Sequence, residues 1–140
     1  MSYLLDTNVV SEVVRPRPDA KVVRWLRTIP DSALHLSVLT LGELRNGVEN
    51  LKASRRKETL RLWLEQDVPA WFEERLLPVT AVVADRWGRL LAEAGRPVPA
   101  IDSLLAATAL VHGLRLVTRN IRDFEFPNLM VVSPWEEDAG

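Results

Sequence analysis

Cysteine is absent from this sequence, and its absence excludes several classes of protein at once. With 0 Cys in 140 residues, the chain has no disulfide framework, no Cys-ligated zinc or iron–sulfur cluster and no thiol nucleophile. Its 6 glycines are scattered along the chain, so a glycine-rich phosphate-binding loop is missing too. Catalysis or metal binding must therefore depend on oxygen- and nitrogen-bearing side chains.

Long hydrophobic runs and a basic leader are missing as well. The longest apolar stretch lies around residues 104–111 and is far shorter than the ~20 residues that span a bilayer. The first residues, MSYLLD, reach a carboxylate before any apolar segment develops, which predicts that there is no signal peptide. We therefore expect a cytoplasmic protein without a membrane anchor.

A strong excess of either charge is the third feature that the sequence lacks. The 18 Lys+Arg and 19 Asp+Glu residues give a formal net charge of -1, and the isoelectric point is about 6.1. Polybasic nucleic-acid binders usually have an isoelectric point above about 9, so an anionic partner would have to meet a local basic patch. With 47% hydrophobic residues, the chain is expected to fold as one domain over residues 1–140.

The sequence does contain short apolar runs that alternate with longer helical patterns. Strands are predicted at residues 3–5, 34–38, 76–79, 114–118 and 129–132. Helices are predicted from residue 7, from a cap at Asp19, from Thr40, from Arg55 to a stop at Pro69, over 80–94 with Gly95 as the C-cap, and over 102–112. This order favours an α/β domain with a mainly parallel sheet. In such a sheet, ligands bind beyond the carboxyl ends of the strands.

Four acidic residues fall at that edge of the predicted sheet. They are Asp6 after the first strand, Glu43 in the helix after the second, Asp102 at the start of the helix before the fourth, and Asp123 after the fourth. Carboxylates gathered in one crevice repel each other unless some are protonated or cations are bound. Oxygen ligands without Cys or nearby His favour Mg²⁺ or Mn²⁺ over zinc. The pattern predicts a metal-dependent site for phosphoryl transfer or phosphodiester cleavage.

Each acid also has a structural interpretation, and the sequence leaves these interpretations open. Asp6 could form an Asx turn or a cap, and Asp102 could cap the helix that it opens. Thr40 and Glu43 have the spacing of a capping box, and Asp123 could be a solvated loop residue. A phosphatase with Asp6 as nucleophile is another option, but no second carboxylate suited to acid catalysis stands near it in sequence.

Five segments, taken together and in order, resemble the PIN-domain family of ribonucleases, and within it the VapC-type toxins of toxin–antitoxin pairs. The segments are LLDTN at 4–8, SVLTLGEL at 37–44, IDSLLAATA at 101–109, LVTRN at 116–120 with DF at 123–124, and SPW at 133–135. The resemblance covers residues 3–135, which is essentially the whole chain. FitB-like members of the family share the same pattern.

The resemblance implies a PIN-like three-layer sandwich, in which about five short parallel strands are flanked by helices. It also implies an endoribonuclease that depends on Mg²⁺ or Mn²⁺. Asp6 and Asp102 would be the principal metal ligands, and Glu43 would bind metal or orient the attacking water. Asp123 is favoured as the fourth carboxylate, with Asn120 in the same loop as the alternative.

The resemblance gives supporting roles to four polar neighbours of these acids. They are Thr7 and Asn8, which would hold the loop of Asp6, and Thr118 and Asn120, which would bond metal-bound water or phosphate. Arg119 and Arg122 border the predicted site, and we expect them to contact RNA. A second basic run, at residues 45–61, is either a rim that steers phosphates or a solvated helix face.

The resemblance also implies partners. These are a second copy of the chain, and a cognate VapB-like antitoxin that assembles with the toxin into a larger heteromer. Because such antitoxins often bind DNA, contact of this chain with DNA would be indirect. We expect the antitoxin to dock on the helices spanning residues 40–75, which combine Leu and Trp with charge. The alternatives are a PIN nuclease of RNA processing without toxin function, and a catalytically weak FitB-like partner in a DNA-bound regulatory complex.

Overall fold

A computed structural model describes residues 1–136 and arranges them around one parallel sheet. The strands are β1 (Tyr3–Leu5), β2 (Leu34–Ser37), β3 (Leu76–Leu77), β4 (Arg115–Val117) and β5 (Val131–Val132). They pair in the order β3-β2-β1-β4-β5, and every pairing is parallel. The predicted α/β fold class is confirmed, and each predicted strand is present at or within its predicted limits.

Seven α-helices cover the sheet within the described residues. They are α1 (Thr7–Glu12), α2 (Ala20–Thr28), α3 (Val38–Glu49), α4 (Arg55–Leu62), α5 (Val68–Phe72), α6 (Ala81–Ala94) and α7 (Ala100–His112). Shorter turns of 3₁₀ or π type occupy Asp31–Ala33, Trp63–Asp67, Glu73–Arg75 and Ile121–Phe124. No helix within residues 1–136 is long and apolar enough to cross a bilayer.

The central strand β1 is buried on both of its faces. Tyr3, Leu4 and Leu5 are 5%, 0% and 0% exposed. Successive side chains of a strand point to opposite faces of the sheet. Tyr3 and Leu5 accordingly join the apolar core formed with α1, α2 and α3, whereas Leu4 joins the core formed with α6 and α7. Two cores on either side of one sheet make the three-layer sandwich.

Helix α3 begins earlier than the sequence pattern predicts. Ser37 is its N-cap, and the Ser37 hydroxyl oxygen accepts a hydrogen bond from the Leu39 amide at 3.1 Å. Thr40 therefore lies within the first turn and is 0% exposed, so the capping-box interpretation of Thr40 and Glu43 is wrong. Serine is a preferred N-cap, but Ser37 is also the last residue of β2, and the strand pattern concealed its second role.

The start of α7 also differs from the prediction. The helix begins at Ala100, after Pro99, so Asp102 lies in the first turn and the capping interpretation of Asp102 is wrong. The N-cap position is taken by a proline that makes no side-chain cap bond. A carboxylate within the first turn still interacts favourably with the positive end of the helix dipole.

The predicted helix stop at Pro69 is wrong as well. The chain passes from α4 through the π-helical turn Trp63–Asp67 directly into α5. Pro69 occupies the first turn of α5, directly after a π-helical turn in which the Val68 amide donates to the Trp63 carbonyl, five residues back instead of four. The helical segment therefore extends to Phe72, which is 0% exposed in the core.

We predict that Thr80→Ala destabilises the protein by about 1 kcal/mol, because Thr80 caps α6. The Thr80 hydroxyl oxygen accepts a hydrogen bond from the Val83 amide at 3.2 Å, which satisfies one of the free amides of the first turn. Urea unfolding followed by circular dichroism measures the loss.

Thr59→Ala is the matched control for this cap. Thr59 lies in α4, and its hydroxyl only donates to the Arg55 carbonyl of the same helix at 3.0 Å. Alanine has the higher helix propensity, so we expect no loss of stability there. Equal losses in the two variants would contradict the capping role of Thr80.

Candidate active site

Asp6 connects the central strand to the first helix at the carboxyl edge of the sheet. Its backbone amide donates to the Val117 carbonyl of β4 at 2.9 Å. Its side chain caps α1, where Oδ1 accepts a hydrogen bond from the Thr7 amide at 2.7 Å. Asp6 is only 8% exposed. The cap that the sequence offered as an alternative is therefore present, and it fixes the orientation of the carboxylate.

The Thr118 hydroxyl holds the other oxygen of Asp6. It donates to Asp6 Oδ2 at 2.8 Å and accepts from the Asn120 amide at 3.1 Å and from Asn8 Nδ2 at 3.4 Å. A hydroxyl has one donor and two acceptor positions, and Thr118 is 0% exposed. The hydroxyl is thus engaged inside the protein, where it positions Asp6 rather than a bound water or phosphate.

Asn8 links the loops that follow β1 and β4. Its Nδ2 donates to Asp6 Oδ2 at 3.3 Å, and its Oδ1 accepts from the Arg119 amide at 3.2 Å. The two loops consequently share one hydrogen-bonded network at the carboxyl ends of the two central strands. A change in the position of either loop would move Asp6.

Glu43 reaches the same edge of the sheet from α3. Thr7 Oγ1 donates to Glu43 Oε1 at 2.6 Å, and this bond ties the first turn of α1 to α3. Glu43 lies on an exposed part of the helix. Its carboxylate therefore combines a fixed position with access to solvent and substrate.

Asp102 and Asp123 complete the group of acids, whose charges act on one another. Burial is the main reason why the pKa of Asp102 is raised to about 6, and the negative charges of Asp6, Asp123 and Glu43 add to the shift. Burial also raises the pKa of Asp6, although the hydrogen bonds that it accepts oppose the rise. Among the described residues, no basic side chain forms an ion pair with any of the four acids.

A divalent cation fits this set of donors. Carboxylate oxygens are ligands that Mg²⁺ and Mn²⁺ prefer, and a cation would relieve the negative charge that, after burial, adds to the raised pKa of Asp102. No three His, Asp or Glu side chains within residues 1–136 are gathered in an arrangement that holds an ion by itself. Mg²⁺ commonly keeps several waters and takes one or two carboxylates directly, so the acids can serve an ion without such an arrangement.

Sequence patterning missed the way in which α7 is held beside the site. Trp87, which the helical pattern of α6 marks as a core residue, donates from Nε1 to the Ser103 hydroxyl at 2.8 Å. Ser103 in turn donates to the Pro99 carbonyl at 2.8 Å and directly follows Asp102. These bonds stabilise a first turn that has no side-chain cap. Hydrophobic periodicity counts Trp87 only as an apolar residue and takes no account of its ring N–H. No sequence signal therefore indicated its hydrogen bond to Ser103.

The basic run at residues 45–61 is partly neutralised within the fold. Arg45 and Arg61 both pair with Glu65 of the π-helical turn, at 3.0 and 2.9 Å. The pairs join α3 and α4 to that turn, and they favour the interpretation of a solvated helix face over that of a rim for phosphates.

Comparisons with known proteins identify the family. The sequence model of the PIN domain matches residues 3–127. Toxin FitB of Neisseria gonorrhoeae is 37% identical over 137 residues, which cover 96% of this chain and 99% of that protein. VapC ribonuclease Y4jK of Sinorhizobium fredii is 34% identical over 136 residues, which cover 95% of this chain and 97% of that protein. The chain belongs to the PIN-domain family.

Solved structures agree with this result. The crystal structure of FitAcB from Neisseria gonorrhoeae matches with a TM-score of 0.90 at 37% identity, over 96% of this chain and 99% of that chain. VapBC2 from Rickettsia felis, solved bound to a DNA fragment from their promoter, matches with a TM-score of 0.76 at 26% identity, over 95% and 98%. The PIN-like sandwich implied by the sequence resemblance is confirmed.

We predict that the stability of the metal-free protein falls as the pH rises from about 4 to about 6. Asp102 has a pKa of about 6 in the folded state against a usual value of 3.8, so the folded state holds the proton more tightly than the unfolded state. The stabilisation that protonated Asp102 contributes is complete below the pKa that this group has in the unfolded state. It is lost as the pH rises through the pKa that the group has in the folded state. Thermal melts in EDTA across this range measure the change.

Asp102→Asn is the control, because an amide does not titrate. We expect this variant to melt above the wild type at pH values over 6, and the difference to shrink toward pH 4. The same pH profile in both proteins would contradict the raised pKa of Asp102.

Proposed function

We propose that this chain is the toxin of a toxin–antitoxin pair and acts as a metal-dependent endoribonuclease that hydrolyses RNA phosphodiester bonds. The observation that carries the proposal is that Asp102 lies at the carboxyl edge of the sheet close enough to Asp6, Asp123 and Glu43 for their negative charges to act on it. The relatives support it, since FitB is named a toxin and Y4jK a VapC ribonuclease. The match to VapBC2 on promoter DNA supports an antitoxin partner that supplies the contact with DNA.

Asp6 and Asp102 are the proposed principal ligands of Mg²⁺ or Mn²⁺. Glu43 and Asp123 are the proposed third and fourth carboxylates of the site. When bound, such an ion polarises a phosphoryl oxygen and stabilises the charge that develops during cleavage. Asp6 Oδ1 accepts one hydrogen bond, from the Thr7 amide, and so keeps a lone pair for a ligand. The capping bond therefore aims this oxygen without occupying it fully.

Glu43 is the proposed acceptor for the attacking water. Thr7 Oγ1 holds Glu43 Oε1 at 2.6 Å, so the second carboxylate oxygen can accept a water hydrogen from a fixed position. Asp123 is an exposed residue of the 3₁₀ turn after β4. Asn120 precedes that turn and is the alternative fourth polar group.

Two other functions fit the same acids but have less support. A PIN nuclease of RNA processing would cut RNA without arresting growth and would have no antitoxin encoded beside it. A catalytically weak FitB-like partner of a DNA-bound regulator would show little or no RNA cleavage. A single domain over residues 1–140, a homodimer and a cytoplasmic location accompany the proposal as predictions.

We expect Asp6→Asn to lower RNA cleavage by more than about 100-fold while the fold stays intact. The amide oxygen can still accept the capping bond from the Thr7 amide, but the charge that attracts a cation is lost. Cleavage of mixed RNA with Mg²⁺ or Mn²⁺ measures activity, and thermal melts measure folding.

Asp85→Asn is the matched control for this substitution. Asp85 is exposed on α6 and pairs with Arg89 at 3.2 Å, so we expect wild-type cleavage. Wild-type activity in the purified Asp6→Asn variant would refute the metal-ligand role of Asp6.

An apolar groove leads from the helices to the site and is the proposed docking place of the antitoxin. It has a volume of about 360 Å³ between α1, α3 and α4, and it reaches Thr7 and Glu43 at one end. Its apolar walls include Val14, Leu44, Val48, Leu60 and Trp63. An amphipathic segment laid into this groove would cover Glu43, and the groove lies largely within residues 40–75, where the sequence predicts docking.

The groove also carries positive charge. Arg15 and Arg56 line it and line its continuation along α4, a further cavity of about 450 Å³. Arg15 is held by the buried Glu12 at 3.1 Å. A docking segment that offers apolar side chains together with a carboxylate would therefore match the surface.

We predict that Gly47→Leu weakens antitoxin binding by more than about tenfold and leaves RNA cleavage unchanged. Gly47 lines the groove, and a Cβ added there meets nothing within 4 Å. A leucine side chain would fill the space that the antitoxin needs without straining α3. Calorimetry with the purified antitoxin measures the affinity.

Gly88→Leu is the matched control for the groove. Gly88 also lies within a helix, and an added Cβ there also meets nothing within 4 Å, but Gly88 does not line the groove. Unchanged antitoxin affinity in Gly47→Leu would rule out docking at this place.

A further inference from the structure

An open cleft of about 370 Å³ lies beside the acids, at the loop that follows β4. Its lining consists of Arg119, Asn120, Ile121, Arg122, Asp123 and Glu136. Asp123 belongs both to this cleft and to the group of site acids. A substrate that extends from the acids past Asp123 would therefore enter the cleft.

The loop that forms the cleft is fastened to the residues that hold Asp6. The Arg119 amide donates to Asn8 Oδ1 at 3.2 Å, and the Asn120 amide donates to Thr118 Oγ1 at 3.1 Å. Asn8 and Thr118 are the two side chains that bond Asp6 Oδ2. The position of the cleft is thus set by the same network that sets the position of Asp6.

Arg119 is restrained over an aromatic ring. Its guanidinium carbon lies 5.5 Å from the centre of the Trp135 ring. Trp135 is tethered in turn, since Lys21 Nζ donates to its carbonyl at 3.3 Å. A cation–π contact restrains an arginine without using its N–H donors, so Arg119 can bind a ligand with less loss of side-chain entropy.

The cleft places two guanidinium groups, Arg119 and Arg122, beside the site acids, although the carboxylates Asp123 and Glu136 line it as well. Four carboxylates repel an approaching polyanion, so RNA must be held by cationic groups close to them. Across residues 1–136, neither Arg119 nor Arg122 forms an ion pair. A guanidinium matches the geometry of a phosphate and can bind it through two parallel N–H donors.

We propose that this cleft is a nucleotide subsite that holds the residue of the RNA next to the scissile phosphate. Arg119 and Arg122 bind the phosphate of that nucleotide, and Glu136 with Asn120 bonds the edge of its base. A volume of about 370 Å³ lies at the lower end of the range of small-ligand sites, about 300–1,000 Å³, which suits one nucleotide. The subsite rests on the proposed endoribonuclease function and adds a base preference to it.

The base preference follows from the chemistry of Glu136. A carboxylate accepts two hydrogen bonds side by side, and guanine offers two neighbouring donors, its ring N1–H and its exocyclic amino group. Uracil offers one ring N–H between two carbonyl oxygens, which a carboxylate repels. Because bases of single-stranded RNA are read on their Watson–Crick edges, the subsite prefers guanine to uracil.

The first experiment measures binding without cleavage, using the full chain with Asp6→Asn in EDTA. The probes are fluorescein-labelled octauridylate and the same oligonucleotide with a single guanine at each position in turn. We expect guanine at one position to tighten binding at least roughly fivefold, and Glu136→Gln to reduce that gain to less than about twofold. Fluorescence anisotropy gives the dissociation constants.

The arginines are tested with the same probes. We expect Arg119→Gln and Arg122→Gln each to weaken binding of both probes about tenfold and to lower the salt slope by about 1. Trp135→Phe keeps an aromatic ring beneath Arg119 and is expected to preserve affinity, whereas Trp135→Leu lowers it.

Arg96→Gln is the matched control for the subsite. Arg96 also lies over an aromatic ring, at 5.8 Å from the centre of Phe126, but does not line the cleft. An equal loss in Arg96→Gln and Arg119→Gln, or a guanine preference that Glu136→Gln leaves intact, would overturn the subsite. Metal-dependent cleavage with no preference for guanine also refutes the subsite alone. Guanine-selective binding without any cleavage by the wild type refutes the endoribonuclease function instead.

Discussion

The hydrogen bond from Thr118 Oγ1 to Asp6 Oδ2 joins the ends of the two central strands, and the organisation of the site follows from it. Because β1 and β4 are parallel neighbours, the residues that follow them arrive at the same point of the sheet edge. A carboxylate buried there is costly unless its oxygens are hydrogen-bonded. Thr118, Asn8 and the Thr7 amide supply those bonds, and they bring the loops of the site together in doing so.

The placement of charged residues explains how a nearly neutral chain can serve a polyanionic substrate. Of the 19 acidic residues, the four at the sheet edge belong to the site, which leaves 15 against 18 basic residues. Location matters more than this small excess. Arg45 and Arg61 are engaged by Glu65, whereas Arg119 and Arg122 line the cleft beside Asp123. Two guanidinium groups thus lie close to the acids that would otherwise repel RNA.

Sequence patterns predicted most of the helices and strands, because caps and hydrophobic periodicity depend on residues that are close together in the chain. Asp19 caps α2, and Gly95 ends α6 in the left-handed conformation, both as predicted. The errors arose where one residue has two roles or where a neighbouring segment changes its context. Ser37 ends a strand and also caps the next helix. Pro69 stands inside a helical segment because a π-helical turn precedes it.

The sequence predicted the four acids of the candidate site, but it did not predict the hydrogen bonds and ring contacts of the residues around them. The acids follow or face strand ends, and the crossover rule of parallel sheets brings such positions to one edge. The bonds from Trp87 to Ser103 and the contact of Arg119 with Trp135 join residues that are distant in the chain. They involve single atoms or ring faces, which hydrophobic periodicity does not record.

The sequence by itself determined the alternation of strands and helices, the burial of β1 and the residue types available for chemistry, since each depends on short-range periodicity. Only the tertiary structure decided which oxygen of Asp6 stays open, how Glu43 is held, and where Arg119 and Arg122 lie. These features depend on atoms that meet after the chain has folded, at separations of 36 to 112 residues in the bonds to Glu43 and Thr118. The absence of cysteine pointed to carboxylate chemistry, and the packing of two parallel strands gave that chemistry a place.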